Sequence, residues 1–393
     1  MERVMRKKWR MMVAVLSAFT LCGCGVTDDQ PEAQSRKEER EQLVIWSYYE
    51  TQAQRSGLDK LIQDFNQSQN RYTLSWEYVP MTGFAKGLSS AYTENKLPDM
   101  VILDNPDTPS MIQLGMFEDI TEAVSDWKLE EEYYSSILET VCYEEHYYGI
   151  PFNCNNTAMI YNKKMLKEAG VLFPSDWETF EKTAAALTTK EHRGFLMCGM
   201  EGEQGAFQIL SWILAAGGTM ETAEGEALSE TIQFFGRLLE DGSMSGNCIN
   251  LTQTDVAREF VNEKAAVIQN GPWVLPMLDD AQMDYGIAPI PGKVEGAAVV
   301  GGENIAVVKG KNTSGSLAFL NFCMNGDEIL EFCQSGSVLP AKISAAEEMA
   351  KQDERMAVFV RQMEHAVTRT SIPQWENVAK NLTDEMYQLV KKQ

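Results

Sequence analysis

Apolar positions along this chain alternate between short runs and helical faces. Leu43, Val44, Ile45 and Trp46 form a short apolar run that reads as a strand. Leu58, Leu61, Ile62 and Phe65 follow at helical spacing and define one apolar face. Residues 72–79 alternate as a second strand. Residues 82–95 suit a helix that stops before Leu97-Pro98. Met100, Val101, Ile102 and Leu103 are continuously apolar, as buried parallel strands are. The order β-α-β-α-β predicts a parallel sheet wrapped by helices. Ligands of such sheets bind beyond the carboxyl ends of the strands. Here those ends are Trp46 to Tyr49 and Asp104-Asn105.

The alternation continues. Residues 147–151 are extended around a Gly/Pro break, and 158–161 read as a strand. Helices are expected at 163–169 and 176–188, the second opened by the capping cluster Pro174-Ser175-Asp176. A strand at 195–199, a helix at 204–216 and helices at 228–241 and 254–263 follow. Residues 265–269 form a strand, and Gly271-Pro272-Trp273 opens another helix. Residues 285–290 are extended, 304–308 form a strand, and 314–325 and 327–334 are helical. The chain is mostly helical from Ala341 on. No repeat with a period of 20–50 residues interrupts this order.

The start of the chain differs. Arg3, Arg6, Lys7, Lys8 and Arg10 precede an uncharged, mostly apolar run of 13 residues, Met11 to Gly23. A membrane-spanning helix needs about 20 apolar residues. A basic head before a shorter run reads as a secretory signal over residues 1–23. Its end, Leu21-Cys22-Gly23-Cys24, resembles the lipobox of bacterial lipoproteins. That resemblance implies lipidation of Cys24 and anchorage to the bilayer, at ~0.8 kcal/mol per buried CH₂. An ordinary signal that happens to contain cysteine is the alternative. Residues 24–42 are strongly polar and read as a disordered tether, with the folded body starting at Leu43.

Charge narrows the function. The formal net charge is −23, and removal of the signal moves it to about −27. That argues against nucleic-acid binding, which neutralises phosphates with Lys and Arg. A body of about 350 residues accommodates one large unit or two domains. Its six cysteines, Cys142, Cys154, Cys198, Cys248, Cys323 and Cys333, form no C-x-x-C pair. Buried free thiols are preferred over disulfides. No G-x-S-x-G, H-E-x-x-H or P-loop string occurs, and the three histidines are scattered, so no metal, cofactor or catalytic residue is expected.

Several strings, in order, resemble one family: the maltose-binding type of extracellular solute-binding proteins, which are the sugar-capturing lipoproteins of ABC importers. They are Leu43-Val44-Ile45-Trp46, Leu97-Pro98-Asp99-Met100-Val101, Tyr148-Gly149-Ile150-Pro151-Phe152, Ile160-Tyr161-Asn162-Lys163, Trp177-Glu178-Thr179-Phe180, Asn270-Gly271-Pro272-Trp273, Ile287-Ala288-Pro289-Ile290-Pro291 and Leu339-Pro340-Ala341-Lys342. The resemblance implies an α/β fold of two lobes like that of periplasmic binding proteins, each a mixed sheet wrapped by helices. Lobe one would comprise 43–149 plus 288–338 and lobe two 153–284 plus 342–393. Crossings are expected near 150–152, 285–287 and 339–341. The implied partners are a sugar ligand, membrane permease subunits and the bilayer, with the protein a monomer facing outside.

A sugar presents flat C–H faces and a rim of hydroxyls, so its site needs aromatic rings and polar side chains on loops at strand ends. The resemblance places such contacts at Trp46, Asp104, Phe207, Trp212 and Trp273. Position at strand ends and glycine turns adds Tyr48 or Tyr49, Asn105, Asn153, Asn155, Glu303 and Asn304. Only one of Tyr48 and Tyr49 is expected to face a cleft, because extended neighbours point opposite ways. Trp375 is read as core. The expected function is non-enzymatic capture of a mono- to oligosaccharide for import. Alternatives are another solute such as a polyamine, or a surface glycosidase.

Overall fold

The computed structural model describes residues 39–392, apart from 82, 220–224, 295, 326 and 370–374. The leader, the tether to residue 38 and Cys24 lie outside the described residues. From Arg40 on the chain forms one body, Arg40–Gln393. The body is two-lobed and α/β, with two principal sheets flanked by helices.

Strands β1 (Glu41–Ser47), β2 (Tyr72–Tyr78) and β3 (Met100–Asp104) are parallel, with β1 in the middle of the three. The first strand starts two residues before the expected Leu43, because Glu41 and Gln42 already pair with Tyr72 and Thr73. The helix Gln52–Ser68 connects β1 to β2. Thr51 caps it in a box with Gln54, and Leu58, Leu61, Ile62 and Phe65 are its buried face. Strand β4 (Gly149–Pro151) sits at the far edge of this sheet.

The second sheet comprises β5 (Ala158–Asn162), β6 (Arg193–Leu196), β7 (Ala265–Asn270) and β8 (Tyr285–Ala288), in the spatial order β8-β5-β7-β6. Strand β9 (Glu303–Val307) returns to the first sheet, antiparallel to both β3 and β4.

The first two passages between the sheets lie a few residues beyond the expected 150–152 and 285–287. Ile150 and Pro151 still pair with β9, and residues 285–287 are fully paired with β5. The chain crosses after these strands, and the crossing stretches lie side by side. Leu339 and Pro340 pair with Cys154 and Asn153, and Asn155 bridges to Gly301. Gly302 makes this approach possible. Its φ is +118°, and a Cβ there would lie 2.5 Å from the Asn153 carbonyl oxygen and the Cys154 Cα.

The helix Glu203–Ala215 is buried on every side from Gly205 on. Its Trp212 is 0 % exposed and packs against Trp177, Phe180, Phe195, Phe234 and Phe235. All six body cysteines are free thiols, five of them buried. Burial pushes Cys198 and Cys248 up to about 12, which keeps both protonated and unreactive.

Candidate functional site

A cleft lies where the strand ends of the two lobes face each other. It encloses about 190 Å³ within an open space of about 940 Å³. From the first lobe come Tyr48 and Tyr49 after β1, Glu50, Thr51 and Gln54 at the start of the next helix, Asp104 at the end of β3, and Glu303 at the start of β9. From the second come Glu203, Gln204 and Phe207, then Gln253 and Thr254, then Trp273. Asn155, Gly301 and Gly302 form the hinge-side wall, and Arg369 closes the set.

Arg369 is 3 % exposed. Its guanidinium lies 3.8 Å from the Asp104 carboxylate and forms an ion pair with Glu203. It also covers the Phe207 ring at 4.6 Å from the centroid. Glu203 is held in turn by the Trp375 indole, whose Nε1 donates to Oε2 at 2.6 Å. One buried cation therefore ties a carboxylate of the first sheet to one that opens a helix of the second lobe. Burial raises the Asp104 acid, and Arg369 opposes that shift.

Glu303 stands directly opposite Asp104 in the β3–β9 ladder. Tyr48 donates to its Oε1 at 3.1 Å, while Oε2 has no hydrogen-bond partner among the described residues. Burial first, and then the Asp104 charge, raises its pKa to about 8. Beside it the Asn153 amide donates to the Tyr49 hydroxyl at 2.6 Å.

The aromatic residues serve different purposes. Trp273 is half-buried on the cleft wall. Its ring lies against Gly271, where a Cβ would come within 1.9 Å of the ring, so the glycine makes room for the indole. Phe207 has one face occupied by Arg369. Tyr48 and Tyr49 are buried to 5 % and 1 % exposure and meet edge to face. Both line the cleft, against the expectation of one. Strand pairing of β1 ends at Ser47, so the alternation that would separate them no longer applies.

Seven expected residues are brought together here: Tyr48, Tyr49, Asp104, Asn155, Phe207, Trp273 and Glu303. Five do not line the cleft. Trp212 is core, its Nε1 donating to Gln269 at 2.8 Å. Trp46 lies along β1 and donates to Glu77 at 2.9 Å. Asn304 alternates to the other face of β9 and bonds Thr108 and Thr140. Asn153 sits behind Tyr49, and Asn105 is buried below the end of β3.

The residues missed by sequence reading share a position. Thr51 and Gln54, Glu203 and Gln204, and Gln253 and Thr254 all occur at or next to the first turn of a helix. In an α/β fold those turns gather beyond the strand ends, so this rule could have found them. Arg369 follows no such rule.

The family profile described as bacterial extracellular solute-binding protein matches residues 60–358. The chain belongs to that family. This solute-binding protein is 23 % identical over 325 residues to the multiple sugar-binding protein of Streptococcus mutans, covering 76 % of this chain and 74 % of that one. It is 23 % identical to the maltooligosaccharide ABC transporter solute-binding lipoprotein of Streptococcus pneumoniae R6, covering 96 % and 92 %. Among solved structures, a Thermotoga lettingae ABC transporter solute-binding protein bound to α-D-tagatose superposes with a TM-score of 0.79 at 20 % identity. That match covers 90 % of this chain and 95 % of the other. It shows that the solute-binding protein shares this fold.

Proposed function

We propose that this solute-binding protein captures a sugar, from mono- to oligosaccharide, between its lobes and passes it unchanged to the permease of an ATP-driven importer. The observation that carries this reading is the half-buried Trp273 indole on the wall of a cleft that also holds the Asp104, Glu203 and Glu303 carboxylates. A ring can cover a sugar's C–H face while carboxylates and amides meet its hydroxyls. Relatives named for multiple sugars and maltooligosaccharides support the same class. Cys24 is the proposed lipid anchor, holding a monomeric body outside the membrane. The pneumococcal relative, matched over 96 % of this chain, is itself named a lipoprotein.

A second reading has one observation in its favour. Four carboxylates, Glu50, Asp104, Glu203 and Glu303, line the cleft against one guanidinium, which suits a cationic polyamine. A thermal-shift panel of sugars, polyamines and phosphate esters on the mature chain separates the two. A ligand present at 100 times its Kd adds about 2.7 kcal/mol of stability. Stabilisation by sugars is expected, and stabilisation by polyamines alone would overturn the sugar reading.

A further inference from the structure

Glu303 presents a problem that its surroundings do not solve. Residues directly opposite in an antiparallel ladder place their side chains on one face, about 5 Å apart, and like charges there repel. Glu303 and Asp104 are such a pair. Glu303 lines the cleft although only 8 % exposed, and its Oε2 is buried without a hydrogen-bond partner among the described residues. The cation next to the pair is already engaged, since Arg369 lies between Asp104 and Glu203.

Among the described residues, the other titratable groups around Glu303 bring no positive charge. Tyr48 and Tyr49 flank it from the end of β1. Cys154 approaches from a crossing stretch and Cys333 from the helix Glu328–Gly336. Burial pushes all four above their usual values, so each is neutral near pH 7. A buried carboxylate and a partly buried one beside one committed guanidinium are relieved by a proton on one of them.

We infer that Glu303 meets the ligand as an un-ionised carboxylic acid, its carboxyl group donating a hydrogen bond to a sugar oxygen. This rests on the sugar reading of the same cleft. Asp104 keeps its charge beside Arg369 and accepts, so the floor offers one donor and one acceptor from neighbouring strands. Sugar hydroxyls, which both donate and accept, match that pair. Capture is thereby linked to one proton, and affinity falls once Glu303 ionises.

Two measurements on the mature chain test this. The first needs no ligand: the proton-binding curve of the wild type minus that of Glu303→Gln between pH 4 and 10. A one-proton difference centred near pH 8 is expected, and one centred near 4.5 overturns the inference. The second is calorimetric titration with maltotriose at pH 6 and pH 9. The wild type is expected to bind about tenfold more weakly at pH 9, and Glu303→Gln to show no such ratio whatever its absolute affinity. An equal wild-type affinity at both pH values, or a tighter one at pH 9, overturns the donor role. Absence of maltotriose binding at both pH values counts against the sugar reading instead, and the ligand-free titration still decides the proton.

Discussion

The buried Arg369 guanidinium lies 3.8 Å from the partly buried Asp104 carboxylate, an ion pair between the end of β3 and a segment that follows the helix Glu354–Met363. The same guanidinium pairs with Glu203 at the start of a second-lobe helix. Removing one partner of such an arrangement leaves buried charge uncompensated, at a cost of about 3–5 kcal/mol. Arg369→Ala is therefore expected to lower stability by that amount in urea unfolding. Arg369→Lys should recover only part of it, because an ammonium cannot lie flat on Phe207 while meeting both carboxylates. Equal stability of Arg369→Ala and wild type would show that the pair is not structural.

Trp273 and Trp212 make a matched comparison. Trp273→Ala removes a half-exposed cleft ring and is expected to cost about 1.5–3 kcal/mol of binding, roughly 10- to 150-fold in Kd, with little change in stability. Trp212→Ala empties a fully buried site among five aromatic rings and should cost about 3–5 kcal/mol of folding stability. Its affinity per folded molecule should be unchanged. Calorimetric binding and urea unfolding of both variants check this, and the reverse pattern would exchange their roles.

These two tryptophans also show what the sequence made legible. Trp273 follows Gly271-Pro272 at the end of a buried strand, and both the glycine and the strand end mark a ring at the cleft. Trp212 belongs to a helix buried all round, so its periodicity has no polar side to reveal which way any residue faces. The β-α-β-α-β opening was readable because Leu43–Trp46 and Met100–Leu103 are short apolar runs with an amphipathic helix between them. Arg369 was not readable. Its role comes from Asp104 and Glu203, which are brought to it only by tertiary packing, and no local pattern records that. Asn304 was misplaced for a simpler reason: Glu303 and Asn304 follow the same glycine turn, and strand alternation admits one of them to the cleft.

Gly302 tests the hinge. With φ at +118° and the crossing backbone 2.5 Å from where a Cβ would be, Gly302→Ala combines a strained conformation with a clash. The strain alone costs about 1–3 kcal/mol. A loss of at least 2 kcal/mol in urea unfolding is expected, and a neutral substitution would show that the crossings can separate freely.

The pH dependence of stability follows from Glu303. Its acid is raised from 4.5 to about 8 in the folded chain, so the folded state holds a proton that the unfolded state releases. The stabilising contribution is complete below about pH 4.5 and is lost as pH rises towards 8. Between pH 5 and 8.5 the wild type should therefore lose more stability than Glu303→Gln, by an amount on the order of a few kcal/mol. Parallel curves for the two proteins would contradict the shift.

The proposed function is reversible capture of a sugar in the cleft that Trp273 lines. Its most direct test is calorimetric titration of the mature chain with maltotriose and with the sugar that stabilises it most, followed by recovery of the ligand. One mole of sugar bound per mole of protein, returned chemically unchanged, is expected, with affinity reduced about tenfold or more by Trp273→Ala. Binding confined to polyamines, or recovery of the sugar with new reducing ends, would contradict it.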